Sequence, residues 1–142
     1  MLTRADIEAL IPHSGAMCLL DSVLHWDSAT IRCVSRTHRD AANPLRTGGQ
    51  LPALCGIEYA AQAMAAHGGL AGTVRGKPGT GYLASLRNVA CNDERLDQRE
   101  GDLVVEAERL MGDETRVIYQ FRLRVGEFEV LNGRATVVLN AA

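Results

Sequence analysis

The chain has 142 residues, 46% apolar and 23% charged, with a net charge of −2. That is enough for one compact domain with a real core, over 1–142, and too little for two. The balanced charge and the lack of any Lys/Arg run exclude a nucleic-acid binder, and no apolar stretch is long or unbroken enough for a signal peptide or a membrane span, so the cytoplasm is the expected location.

Taken in chain order, "TRADIEAL" reads as a short amphipathic helix, with Thr3 able to cap it and Asp6 in its first turn. "MCLLDSVLHW" (17–26) reads as a strand, and "TIRCVSRTH" (30–38) as a second, joined by a tight polar turn at Asp27–Ser28. A polar loop, "RDAANPLRTGGQ", leads into a helix over about 51–68, with Pro52 near its first turn and Gly68–Gly69 ending or loosening it. The second half changes period. "GYLASLRNVAC" alternates and "DLVVEAERLM" follows. In "TRVIYQFRLRV", Val117, Tyr119, Phe121, Leu123 and Val125 share one face, and Arg116, Gln120, Arg122 and Arg124 the other. "EFEVLNGRATVVL" comes after a turn at Gly126–Glu127, with Asn132–Gly133 expected as a bulge.

Short connections between neighbouring strands imply antiparallel pairing. The order strand, strand, helix, four strands predicts an α+β fold: one antiparallel sheet of about six strands wrapped around one long helix. The helix is apolar all round, as expected of one enclosed by a sheet, and its alanines at 60, 61, 63, 65 and 66 let the sheet approach closely.

Cys18, Cys33, Cys55 and Cys91 lie in apolar runs without a C-x-x-C pair and read as small buried hydrophobes. His13, His25, His38 and His67 show no metal-binding spacing, so neither a metal nor a cofactor is expected.

The helix carries one acid, Glu58, and one amide, Gln62, four residues apart and on one face. Burial disfavours a carboxylate, which raises its pKa and readies it to give or take a proton. Alternatively, Glu58 is half of an ion pair with Arg87 or Arg109. Unpaired N–H groups at the start of the helix, over Ala53 to Gly56, can stabilise a developing oxyanion. A proton-transfer group one turn from such donors suits chemistry alpha to a carbonyl.

Two stretches together resemble the beta-hydroxyacyl-acyl-carrier-protein dehydratases. "IPHSGAMCLLDSV" is similar to their opening, a Pro-His before a first strand ending in Asp and an apolar residue. "LPALCGIEYAAQAMAA" is similar to their helix, with a Glu before Ala-rich turns and a Gln four residues later. The likeness is greatest to a subgroup serving polyene and polyketide-type acyl chains. It implies a hot-dog fold; a homodimer, or a heterodimer with a sister hot-dog subunit, or a higher oligomer; and dehydration of 3-hydroxyacyl thioesters on acyl carrier protein, or on CoA. By position Glu58 matches the family's catalytic Glu and Gln62 the Gln after it, with Ala53, Gly56 and Gln62 toward the substrate. The family's Gly-His-Phe-Pro is absent: here the loop reads "NPLRTGGQLP". His13 is the first candidate for the second catalytic group and His38 the next. A thioesterase of the same fold, in which a helix carboxylate activates water, and a non-catalytic partner subunit stand as alternatives.

Overall fold

In the computed structural model, which describes residues 1–72 and 81–139, Thr3 and Asp6 cap each other at the start of α1 (Arg4–Glu8), a reciprocal capping box as the sequence predicts. The strands are β1 (Ser22–Trp26), β2 (Thr30–Ser35), β3 (Gly81–Cys91), β4 (Leu103–Gly112), β5 (Arg116–Val125) and β6 (Phe128–Leu139). They form one antiparallel sheet in the order β1-β2-β4-β5-β6-β3. α2 (Gly56–Ala71), entered through a 3-10 turn over Ala53–Cys55, packs on its concave face.

The alternation in β5 holds as read: Val117, Tyr119, Phe121, Leu123 and Val125 are all buried. α2 meets them with Tyr59, Ala60, Ala63, Met64, Ala66 and His67. It is not enclosed all round, however. Leu54 is 58% exposed and Glu58 lies on the uncovered side. The closest approach is at Gly56, where a methyl group would stand 2.8 Å from Leu123 Cδ2 and 2.9 Å from Leu131 Cδ2.

Four boundaries differ from the sequence reading, each for a packing reason. The first strand starts at Ser22, because the backbone from Met17 to Leu19 bonds to a helix side chain instead of a neighbouring strand. The second ends at Ser35, and His38 sits in a 3-10 turn over Thr37–Arg39. α2 runs through Gly68 and Gly69 to end at Gly72, which adopts a left-handed φ of 74°. Gly69 serves packing, since a methyl group there would reach 3.0 Å from Leu10 Cδ2. Gly133 lies in regular β6 opposite Phe121, whose ring covers it, and the bulge is on β3, where Asn88 and Val89 together face Gly133.

Two of the four cysteines are buried as expected, Cys18 and Cys33. Cys55 is half-buried and Cys91 is exposed, because Cys91 ends the edge strand β3. His67 is buried and satisfied: its Nε2 lies 2.8 Å from the Asp27 carbonyl and its Nδ1 2.7 Å from the Tyr119 hydroxyl. A carbonyl only accepts, so Nε2 carries the proton and Tyr119 donates to Nδ1.

The loop before α2 is held by Arg46. Its guanidinium donates to the carbonyls of Asp40, Gly49 and His38 and pairs with Asp97 at 2.9 Å. Asp97 also takes Arg95 and is only 3% exposed. The next stretch is pinned by two backbone bonds, Ala53 N–H to Glu94 O and Leu96 N–H to Leu51 O.

Arg95, by hydrogen bonding, holds the Asp97 carboxyl well below the usual carboxylate range. A depressed folded pKa contributes stability that is present above the unfolded value, about 3.9, and is lost as pH falls below it. Asp97→Asn is expected to cost about 3 kcal/mol at neutral pH, the low end for a broken buried pair because Arg46 keeps three carbonyl acceptors. Denaturant titrations at pH 7 and pH 3 check this: the difference between variant and wild type should shrink at pH 3. Gly56→Ala gains about 1 kcal/mol of helix propensity and loses about 1–3 kcal/mol to overpacking. The expected net is destabilisation, and pairing it with Leu131→Val, which vacates the contacted atom's space, should recover part of the loss in the same titration.

Candidate functional site

The first turns of α2 and the two loops beside them carry every residue singled out from the sequence. Glu58 stands in the first turn of α2, solvent-exposed and with no ion-pair partner among the described residues. Neither the desolvated carboxylate nor the pair with Arg87 or Arg109 is present in the single chain. The side of α2 that Glu58 occupies is not covered by this chain's sheet, so any desolvation has to come from a second body.

Gln62 follows one turn later and is 1% exposed. Its Oε1 accepts from Leu19 N–H at 2.8 Å and its Nε2 donates to Met17 O at 2.7 Å. The side chain expected to face substrate is thus spent on fastening the N-terminal loop to the helix. Two residues on one stripe part company because that loop crosses the helix at 62 and leaves 58 open.

Ala53 and Gly56 also turn inward. Ala53 N–H bonds to Glu94 O, Cys55 N–H to Pro52 O, and the Gly56 N–H to the carbonyls of Ala53 and Leu54. Three of the four amides expected to be free for an oxyanion are thus used, Ala53's by Glu94 and those of Cys55 and Gly56 within the 3-10 turn. Gly56 itself faces Leu123 and Leu131. Burial first and the Glu58 charge second push the Cys55 thiol up, which disfavours its thiolate.

His13 lies in the loop between α1 and the 3-10 turn over Gly15–Met17, half-buried, with a buried Nδ1 that has no hydrogen-bond partner. No hydrogen bond joins it to Glu58 among the described residues. His38 is fully buried, and neither ring nitrogen makes a hydrogen bond of good geometry. Burial lowers its pKa, opposed by the nearby Gly101 backbone. Deep burial removes His38 from the open side of the helix where Glu58 stands. His25, on β1, is exposed 3.6 Å from Asp27.

What the sequence did not bring out is a run of buried polar groups under these loops. Tyr59, read as one more apolar residue of the helix, points its hydroxyl at Thr37 Oγ1 (2.7 Å) and at Asn43 Nδ2 (2.9 Å). Ser35 Oγ and Thr37 Oγ1 both donate to Leu19 O. Asn43 Nδ2 also reaches Thr37 O, and its Oδ1 accepts from Leu45 N–H. Burial pushes the Tyr59 phenol up, so it stays a neutral donor. A Thr-x-x-x-x-x-Asn spacing before a helix with a Tyr is too common to have signalled this.

Beside this run a cavity of about 580 Å³ opens between Ala16, Asp21, Arg36, Thr37, Asn43 and Pro44. A second cleft of about 630 Å³ lies between Pro52–Leu54 and Cys91–Glu94. Glu58 and His13 line neither. Among the described residues no group of three or more His, Cys, Asp or Glu side chains could hold a metal ion, and no helix is long and apolar enough to cross a membrane.

Comparison with solved structures places the hot-dog fold beyond doubt. The dehydratase heterocomplex ApeI:P from Xenorhabdus doucetiae superposes with a TM-score of 0.81 over 94% of this chain and 90% of that one, at 23% identity. A sigma28-regulated virulence protein from Campylobacter jejuni matches at 0.66 over 96% and 97%, at 13% identity. A hypothetical thioesterase from Streptococcus pneumoniae, solved with coenzyme A, matches at 0.58 over 83% and 84%, at 11% identity. No curated protein matches the sequence. The family model described as ApeP-like, ApeP dehydratase, matches residues 5–141, and the chain therefore belongs to the ApeP-like dehydratase family.

Proposed function

We propose that this chain is a subunit of a hydro-lyase that converts a 3-hydroxyacyl thioester, carried on acyl carrier protein, into the 2-enoyl thioester and water, for fatty acid or polyene and polyketide-type chains. The observation that carries the reading is the state of Glu58. In a chain of a dehydratase family, a carboxylate stands unpaired and exposed on an otherwise apolar helix, beside an exposed Leu54. An unpaired acid there brings no ion-pair stability to the single chain.

Covering by a second hot-dog subunit would desolvate Glu58 and place it against the bound substrate. In the proposed reaction an imidazole removes the C2 proton, the electron pair forms the C2=C3 bond, and protonated Glu58 delivers its proton to the C3 hydroxyl, which leaves as water. The imidazole is His13 in a homodimer or a histidine of a sister subunit. The long edge strand β3, unpaired on one side within this chain, supports assembly through that edge. The ApeI:P structure is a heterocomplex, and between Gly49 and Pro52, where the resemblance expects His and Phe, stand Gln50 and Leu51. Both support a hetero-assembly in which this chain supplies the carboxylate.

Glu58→Gln is expected to abolish turnover in the assembled enzyme while leaving Tm nearly unchanged, since an exposed, unpaired side chain contributes within about 0.5 kcal/mol. A large Tm shift with activity retained would assign Glu58 a structural role instead. The assay follows enoyl formation from a 3-hydroxyacyl thioester beside hydrolysis of a saturated one; hydrolysis alone would mean a thioesterase. Activity that requires a co-expressed sister chain would identify the non-catalytic or half-catalytic subunit.

His13→Ala should lower turnover by about 10²–10⁴-fold if His13 is the proton acceptor. Because His38 is fully buried, His38→Ala should lower Tm and leave turnover per folded molecule intact. If His13→Ala retains full activity in an active assembly, the imidazole comes from the partner.

A further inference from the structure

Tyr59 and Gln62 belong to one continuous polar chain that runs from Leu45 N–H to Met17 O, and its proton directions are fixed. Asn43 Nδ2 can only donate, so at 2.9 Å the Tyr59 oxygen accepts from it. The Tyr59 proton then has one partner among the described residues, Thr37 Oγ1 at 2.7 Å. Thr37 passes its own proton to Leu19 O at 2.8 Å, and Leu19 N–H donates to Gln62 Oε1 at 2.8 Å. Gln62 Nε2 closes the run on Met17 O. At the other end Leu45 N–H donates to Asn43 Oδ1 at 2.9 Å.

Its central side chains are nearly inaccessible: Tyr59 0%, Gln62 1%, Asn43 6% exposed. Buried polar groups cost free energy unless every one is paired, and a fully paired set fixes a unique geometry. An apolar core would have closed this region without that risk. What the chain does that apolar packing would not is hold two loops against one face of α2. One is the loop leading from His13 through Met17 to Leu19. The other is the loop of Asn43 to Leu45, with Pro44 on the cavity wall. The first meets the helix at Gln62 and the second at Tyr59, next in sequence to Glu58.

We propose that Tyr59 and Gln62 are positioning residues that join the His13 loop and the Pro44 loop into one unit against α2, so that both loops move or hold together. For catalysis this rests on the function proposed above; the coupling itself does not. Each joint donates one proton in one direction, so a break at Tyr59 frees acceptors and donors on both sides.

The test is amide hydrogen exchange on the folded chain, read at Leu19 N–H and Leu45 N–H, with β5 amides as the global reference. Tyr59→Phe and Thr37→Val each remove one hydroxyl without changing shape. The expected result is exchange at least tenfold faster at both amides, with β5 unchanged. A rise at one amide only, at neither, or at both in step with β5 overturns the coupling. In the assembled enzyme, Tyr59→Phe should lower kcat about tenfold with KM within twofold. An active assembly whose Tyr59→Phe variant keeps its kcat overturns the positioning role. A wild-type assembly that dehydrates no 3-hydroxyacyl thioester overturns the proposed function instead, and the exchange result still decides the coupling.

Discussion

A helix can lie in the concave face of a sheet only if its near side is small and its polar backbone ends are satisfied. α2 meets the first condition with Gly56 set against Leu123 and Leu131 and with alanines at 60, 63 and 66. It meets the second by extending its first turn backward as 3-10 helix, so that Cys55 and Gly56 bond to Pro52 and Ala53. The sheet order, the loop routes and the placement of Glu58 all follow from this one packing. A helix seated that deeply has one side against the sheet and a second side that the chain's own six strands do not reach.

The N-terminal loop decides which part of that second side is covered. Arg4 ties it down by bonding to Asp21 and to the carbonyls of Gly15 and Cys18, and Gln62 receives it on the helix. Coverage stops there. Ala61 and Ala65 are half-buried and Leu54 and Glu58 are open. Small residues on the open stripe leave room for another helix or loop to come close. An acid placed among them is unremarkable in water and becomes chemically different only once that space is filled.

The regular parts of this architecture were legible because they carry a period. In β5 a two-residue alternation and in α1 a Thr-x-x-Asp capping pattern each point to one structure. The turns at Asp27–Ser28 and Gly126–Glu127 were legible because their flanking strands are close. The misread parts depend on a distant partner. The run from Met17 to Asp21 is as apolar as a strand, yet its Leu19 amide and Met17 carbonyl go to Gln62, 43 residues away for Leu19. Gly68–Gly69 looks like a helix end, but Gly69 is small because Leu10 lies over it. The burial of Glu58 was inferred from its neighbours in sequence, whereas exposure is set by what lies opposite in space. The resemblance carried the fold; it could not say that Gln62, Ala53 and Gly56 would face inward.

This division of α2 also explains why an imidazole is hard to find within one chain. A general acid and a general base must both reach one substrate carbon chain, on opposite or adjacent sides of the C2–C3 bond, while water is kept out. The described chain holds four histidines: His67 is bonded at both nitrogens in the core, His38 is sealed under the Arg46 loop, His25 lies on exposed β1, and His13 sits on a loop that Gln62 fixes. Only the last is both partly open and held near the helix. A site closed from one side by α2 and from the other by a second subunit needs only one proton-transfer group from each. In the proposed assembly the absent motif histidine is no defect of this chain, because the surface that would bring the second group is the same surface that would desolvate Glu58.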